Sequence, residues 1–250
     1  MRRAIFIDIE TLPAVNPNAT DLKAAPSAPT TATPHGPLPD LLPDPLKDDT
    51  DLKTSLNGDF GRILCIGFVD ENPQGKVERG VVGWDDLHGS FHCDERLILT
   101  EFWRRMKTFR SNVDRVVGHN VYDFDLKFIL KRSIIHGVRP TIDLSFARYR
   151  NQPIFDTMYE WERWSYGSKA SLDTLARALG FDSSKQNGVN GSQIYSLFKA
   201  GEYRAIHDYC LKDVELTRSI YKRMVFEECA TAPAPVHRPI AANSELALAR

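Results

Sequence analysis

Several features that would assign a function class at once are missing from this sequence. Net charge is nearly absent, with 32 Lys and Arg against 33 Asp and Glu leaving −1 at neutral pH. A protein that coats nucleic acid through its phosphates carries a clear basic excess, so any such contact here should be local, short or assisted by metal ions. No run approaches the ~18 apolar residues that a membrane span needs, and no membrane partner is expected. No Gly-rich dinucleotide fingerprint and no P-loop occurs, which argues against dinucleotide or nucleoside triphosphate binding. Cysteine is scarce: Cys65, Cys93, Cys210 and Cys229 form no C-x-x-C pair and read as reduced structural thiols. His88, His92 and Cys93 lie close together, but no fourth ligand at zinc-like spacing follows. The N-terminus enters a strand with no apolar signal segment before it, so a cytoplasmic protein is expected.

What is present is a chain of 250 residues with 42% hydrophobic and 26% charged residues, enough for one substantial core. Nine of its fifteen prolines fall between Pro13 and Pro45, and the acidic run Asp48-Asp49-Thr50-Asp51 follows. Proline at that density blocks both helix and ladder, so 13–57 is expected to be a weakly ordered insertion. Residues 230–250 are Ala/Pro-rich and read as a tail, leaving one domain over 1–229. Within it, Arg62–Val69 and Val77–Val82 read as strands of an antiparallel hairpin, and Val113–Gly118 as a further strand. Asp94–Phe109, Asp123–His136, Ser171–Leu179 and Tyr203–Phe226 carry helical periodicity. The inward residues are expected to be Leu97, Ile98, Phe102 and Met106 on the first of these helices. On the second they are Phe124, Phe128, Ile129 and Ile135. Strands in a meander followed by alternating strands and helices predict an α/β fold, a mixed sheet covered by helices.

Most acidic residues have ordinary explanations. Asp85-Asp86, Asp70-Glu71 and Glu227-Glu228 fit solvated loops or helix ends, and Asp173 complements the first turn of a helix capped by Ser171. Asp143 and Asp156 could each begin a helix, with a functional role as the less favoured reading. Four others resist. Asp8 and Glu10 stand two apart in Ala4-Ile5-Phe6-Ile7-Asp8-Ile9-Glu10, so both leave one face of a strand while Ile5, Ile7 and Ile9 leave the other. Like charges side by side on a half-buried strand repel and lose hydration. Asp125 follows a strand-to-helix junction, where helix capping also predicts an acid. Asp213 sits mid-helix on the stripe of Ile206, Tyr209, Cys210, Leu216 and Ile220, with Tyr209 one turn earlier on the same face. Four carboxylates drawn together need cations, and hard oxygen donors suit Mg²⁺ or Mn²⁺. Two such ions form a clamp for in-line attack on a phosphodiester.

"DIET" at 8–11, "GHNVYDFDLKFILKR" at 118–132 and "YCLKDVELT" at 209–217 resemble the three motifs of the DEDD 3′–5′ exonucleases, which have an RNase H-like fold. Tyr209 stands four residues before Asp213, as in the tyrosine subtype; His207 is not in the position of the catalytic histidine of the other subtype. "SLDTLARALGF" at 171–181 and "NGVNGSQIYSLFKAGEYRAIHDYC" at 187–210 are similar to stand-alone exonucleases related to the proofreading domain of family B DNA polymerases. The likeness runs from Arg3 to Phe226 apart from the 13–57 insertion.

The resemblance implies that Asp8, Glu10, Asp125 and Asp213 bind two divalent cations, Mg²⁺ or Mn²⁺, and that Tyr209 orients the attacking water. Thr11, Leu12, Asn120 and Phe124 match the substrate-side positions, although Leu12 and Phe124 suit a core equally well. The expected activity is metal-dependent release of nucleoside monophosphates from single-stranded 3′ ends, with DNA favoured over RNA. RNA 3′-end processing is the alternative within the enzyme class, and an inactive nucleic-acid-binding or docking module the alternative outside it. The exonuclease uses the whole chain, so any polymerase or repair protein would be a separate partner.

Overall fold

The computed structural model describes residues 2–14, 52–167, 169–183 and 189–227. Its strands are β1 (Ala4–Leu12), β2 (Arg62–Glu71), β3 (Val77–Val82), β4 (Trp84–Asp85), β5 (Ser90–Phe91), β6 (Arg115–Gly118) and β7 (Ile154–Asp156). Five of them make a central sheet in the order β3-β2-β1-β6-β7, and β4 pairs with β5 in a separate ribbon. The first three strands form the antiparallel meander, whereas β1, β6 and β7 run parallel. The mixed α/β sheet read from the sequence is thus present. The acid-bearing β1 lies at its middle rather than half in solvent.

Both faces of β1 are covered, for reasons its alternation makes plain. Ile5, Ile7 and Ile9 pack with Ile98, Phe102 and Trp103 of α1 (Glu95–Met106) and Leu126 and Ile129 of α2 (Asp125–Ile135). On the opposite face Phe6, Val69, Val117 and Phe155 meet Val214 and Tyr221 of the last helix. Between α2 and that helix the chain forms α3 (Thr157–Trp161), α4 (Leu172–Leu179) and α5 (Ile194–Ala200); the last helix is α6 (Tyr203–Met224). The N-cap expected for α4 is present, with Ser171 Oγ accepting from Thr174 N at 3.2 Å, and left-handed Gly180 closes its C-terminus.

Some expectations of facing and solvation are corrected. Leu97 is 56% exposed and Ile135 53% exposed. Leu97 lies about 100° around α1 from Ile98, off the stripe that Leu99, Phe102, Trp103 and Met106 complete. On α2 the inner face holds Leu126, Phe128 and Ile129 and is continued, where Ile135 was expected, by two polar residues with waiting partners. Arg132 pairs with buried Glu95 at 2.7 Å, and Ser133 Oγ accepts from Trp103 Nε1 at 2.8 Å. Asp70 and Glu71 are not solvated loop acids. They end β2, where Asp70 pairs with Arg3 at 2.5 Å and Glu71 with Arg218 and Lys222 at 2.8 and 2.7 Å. No helix begins at Asp143, whereas Asp156 caps α3.

Residues 15–51 of the expected insertion and the tail at 230–250 lie outside the described residues. The end of the insertion is packed, contrary to a weakly ordered reading. Thr54 is buried, its Oγ1 accepts from Ala14 N at 2.8 Å, and Thr11 Oγ1 donates to Ser55 O at 2.7 Å.

Candidate active site

The carboxylates meet where regular strand pairing fails. β1 pairs with β6 only from Ala4 to Phe6. Beyond Val117 the chain turns away at Gly118, where a Cβ would lie 2.5 Å from Val121 Cβ and 3.1 Å from Ile7 O. Only glycine lets this loop fold so tightly against β1. Asn120 takes a left-handed conformation (φ 63°) in the same turn. Asp156 then fixes the loop: its Oδ1 accepts from Asn120 N at 3.0 Å and its Oδ2 from Tyr122 N at 2.9 Å, while Oδ1 also caps α3. Burial pushes the Asp156 carboxyl up to about 6 even against the backbone N–H groups of Tyr122, Asn120, Tyr159 and Met158. The departure of β6 leaves Ile9 N without a strand partner, and Asp125 Oδ1 accepts from it at 3.0 Å.

On the other side of β1 two local irregularities admit α6. The β1–β2 register slips between Glu10↔Cys65 and Thr11↔Ile63, leaving Leu64 unopposed, so Leu64 and Cys65 both join the cluster beneath α6. Gly67 faces Asp8 in register, and a Cβ there would sit 2.7 Å from Cys210 Sγ and 2.9 Å from Val214 Cγ2. The missing side chain is what lets α6 lie against the strand pair. Cys210 Sγ reaches to 3.9 Å from Asp8 O, and Asp213 and Tyr209 on the same helix are both buried.

Asp8, Glu10, Asp125 and Asp213 are within electrostatic reach of one another. Burial first, and then the neighbouring acids, hold the Asp8 and Glu10 carboxyls well above the usual carboxylate range. Asp125 is pushed up to about 7 by burial, with Asp156 and Asp213 adding to the shift and backbone N–H groups opposing it. Glu10 is only 5% exposed and Asp8 somewhat more. Burial and these carboxylates also raise the Tyr209 phenol, which hydrogen-bonds Asp213. Such a site is poor at holding four negative charges and well built for cations.

The remaining candidates divide. Thr11 is half-buried and gives its hydroxyl to Ser55 O. Leu12 is fully buried with Leu64, Ile206 and Tyr209, the core position of its two readings. Asn120 and Phe124 are half-buried, and the Phe124 ring lies 5.6 Å from that of Phe128. His207 is engaged by Asp208 and by the Trp84 ring at 4.6 Å.

One participant was not singled out by sequence. Donor atoms of Asp8, Glu10 and Cys210 all lie within 4.8 Å of one another, the group of this kind among the described residues. Its only signal was the place of Cys210 on the buried stripe of α6. The Cys65 thiol beside it, burial and the acids together raise the Cys210 thiol, so it stays protonated at neutral pH. The donors offered are therefore carboxylate oxygens, and these fit Mg²⁺ or Mn²⁺.

Comparisons with known proteins show the family and the fold. Residues 54–241, about three quarters of the chain, match the family described as "Predicted 3′-5′ exonuclease related to the exonuclease domain of PolB". That span holds Asp125, Tyr209 and Asp213 but not Asp8 and Glu10, whose place in the site rests on the geometry of β1. A Frog virus 3 (isolate Goorha) protein named "Putative DNA polymerase 060R" is 20% identical over 190 residues, covering 65% of this chain and 18% of its own length. The structure of the family B DNA polymerase from the archaeon Pyrobaculum calidifontis is similar in fold. It matches with a TM-score of 0.56 at 16% identity, covering 90% of this chain and 25% of the polymerase. The chain thus spans a quarter or less of these relatives. Among the described residues no helix is long and apolar enough to cross a membrane.

Proposed function

The chain belongs to the family of predicted 3′–5′ exonucleases related to the exonuclease domain of PolB, and from that premise we propose that it hydrolyses single-stranded 3′ ends, DNA in preference to RNA, releasing nucleoside monophosphates. The observation that carries the reading is the convergence of Asp8, Glu10, Asp125 and Asp213, each able to interact with the others, beside a tyrosine bonded to Asp213.

In this reading the four carboxylates hold two divalent cations, Mg²⁺ or Mn²⁺. When bound, such ions acidify a water and neutralise charge on the phosphodiester oxygens. The protein's part is positional. Asp125 accepts a hydrogen bond from Ile9 N, which fixes its carboxylate against the acid-bearing strand. Tyr209 keeps its proton at neutral pH because its phenol is raised, so its hydroxyl orients the attacking water rather than removing a proton. Thr11, Asn120 and Phe124, each half-buried, line the substrate side, while Leu12 supports them from the core.

The test uses 5′-labelled single-stranded DNA, single-stranded RNA and duplexes with Mg²⁺, Mn²⁺ or EDTA, run beside Asp8→Asn. A ladder shortened from the 3′ end, abolished by EDTA and by the substitution, is expected. Activity surviving both would remove the two-metal account. A strong preference for RNA would transfer the reading to RNA 3′-end processing, and binding without cleavage to a docking module.

A further inference from the structure

Away from the carboxylates, the segments 148–150 and 163–166 raise an aromatic and cationic face that the hydrolytic site does not use. Tyr149 and Tyr166 are 63% and 91% exposed, and their hydroxyls lie 3.4 Å apart. Exposed rings of this size are normally tucked against a neighbour or reserved for a ligand. Arg148 and Arg150 flank Tyr149, both exposed and in no ion pair among the described residues. By contrast Arg104, Arg105, Arg110 and Arg218, elsewhere on the surface, are tied to acids. Exposed rings and unpaired cations thus stand side by side here, on a chain whose net charge is −1.

The backbone beneath these rings is unusual too. Of six non-glycine residues with positive φ among the described residues, three are here: Tyr149 (62°), Arg163 (49°) and Trp164 (60°). Bulky side chains seldom adopt that conformation without a functional reason to hold it. The rings are also connected to the candidate site. Tyr149 lies 5.5 Å from Trp164, which stacks on Tyr159 at 4.6 Å and 19°. The Tyr159 hydroxyl donates to Asp123 in the loop that carries Asn120 and leads into Asp125, and Lys169 joins the same pair.

Resting on the exonuclease reading above, we propose that this face is a stacking platform for single-stranded nucleic acid, taking bases several nucleotides upstream of the 3′ end. Tyr149 and Tyr166 stack bases without regard to sequence, and Arg148 and Arg150 meet the intervening phosphates. Two π-faces flanked by Arg148 and Arg150 match the alternation of base and phosphate along a single strand.

The test is fluorescence anisotropy in EDTA with 5′-fluorescein oligothymidylates of 3 and 16 nucleotides. Tyr149→Ala/Tyr166→Ala should weaken the 16-mer at least tenfold and the 3-mer much less. Arg148→Gln/Arg150→Gln should flatten the salt dependence by a log–log slope of roughly 0.7 for each phosphate that is no longer neutralised. Tyr149→Phe/Tyr166→Phe, which keeps the rings, should bind like wild type, and 3-mer affinity retained by the alanine pair shows that its loss on the 16-mer is not loss of fold. Unchanged 16-mer affinity in the alanine pair overturns the platform, as does an equal loss on both lengths or a loss in the phenylalanine pair. If the platform fails while the wild type still shortens 3′ ends, the hydrolytic reading stands. A wild type that neither binds nor cuts any strand removes both.

Discussion

The position whose alteration should separate the site from the fold is Gly67. It carries no chemistry, yet it is the contact that sets the height of α6 over Asp8. Replacing it with alanine puts a methyl group 2.7 Å from Cys210 Sγ, 2.9 Å from Val214 Cγ2 and 3.3 Å from Cys210 O. Ordinary carbon contacts lie near 3.5–4.0 Å, so two side-chain atoms of α6 have to give by about 0.7–1 Å, and with the backbone oxygen of Cys210 itself at 3.3 Å the helix is expected to move with them. Two of the three obstructing atoms belong to Cys210, between Tyr209 and Leu211, so the displacement is transmitted directly to Tyr209 and Asp213.

The effect on stability and the effect on rate should differ in size. Overpacking of this kind costs about 1–3 kcal/mol, partly offset by ~0.5–1 kcal/mol because alanine suits a strand better than glycine. For a domain of this size that lowers Tm by only about 2–4 °C per kcal/mol. A misplacement of ~1 Å at a reacting centre can cost on the order of 10²-fold in rate. Gly67→Ala should therefore remain folded at 25 °C while kcat on a single-stranded 3′ end falls about a hundredfold. Gly80→Ala is the control: it sits on β3, where the obstructing atoms are in the side chain of Phe68 rather than in α6. Adding Cys210→Ala to Gly67→Ala removes the nearest obstruction and should recover part of the rate. A Gly67→Ala enzyme within twofold of wild type would refute the claim that this contact positions α6, as would a fall in rate matching the unfolded fraction.

Two further outcomes follow from protonation. Tyr209→Phe should lower kcat about 10²-fold without changing the shape of the pH–rate profile, since the raised phenol never ionises in the working range; disappearance of an alkaline limb in the variant would contradict a positioning role. Burial lowers the His119 imidazole to about 4, with Thr157 Oγ1 at 3.0 Å from its Nδ1. The unfolded chain protonates this histidine near 6.5 and the native one only near 4, so its contribution is present above pH 6.5 and is lost as pH falls towards 4. That loss amounts to as much as about 3 kcal/mol. Denaturant titrations of His119→Asn should show a shallower decline across this window, and profiles parallel to wild type would refute the assignment.

Legibility in the sequence followed the length of each signal. The β2–β3 hairpin, α1, α2, α4 and α6 each run long enough for a period of two or 3.6 to show, and all are present. The three-residue β7, the two-residue β4 and β5, and the seven-residue α5 are too short to display one. Facing was misread where polarity and burial part company. Arg132 and Ser133 occupy the inner face of α2 because Glu95 and Trp103 await them across the core, and no local pattern announces such partners. Asp8, Glu10 and Asp213 were visible because each breaks the pattern of its element, whereas Asp125 stands in a helix's first turn, where an acid is ordinary, and was picked out by its motif. Cys210 was not singled out, because a small apolar-like residue on a buried stripe breaks nothing.

The features that hold the acids in place were hidden for the same reason that they work. Gly118, Gly67 and the slip at Leu64 are each a single-residue departure from regular sheet, and each makes an opening for one component. At Gly118 the chain leaves β1 and frees Ile9 N for Asp125. At Gly67 the sheet loses a side chain and α6 brings Asp213 and Tyr209 down. At Leu64 the register shifts beside Glu10. Regular pairing and full side chains at these positions would give a better-packed sheet, with Asp8 and Glu10 left as two repelling charges beneath a helix. With the three irregularities, the same two acids become half of a cluster whose mutual repulsion a pair of cations would relieve. A glycine, unlike an aspartate in an apolar run, contradicts nothing around it in sequence, so its meaning appears only once the helix above it is in place.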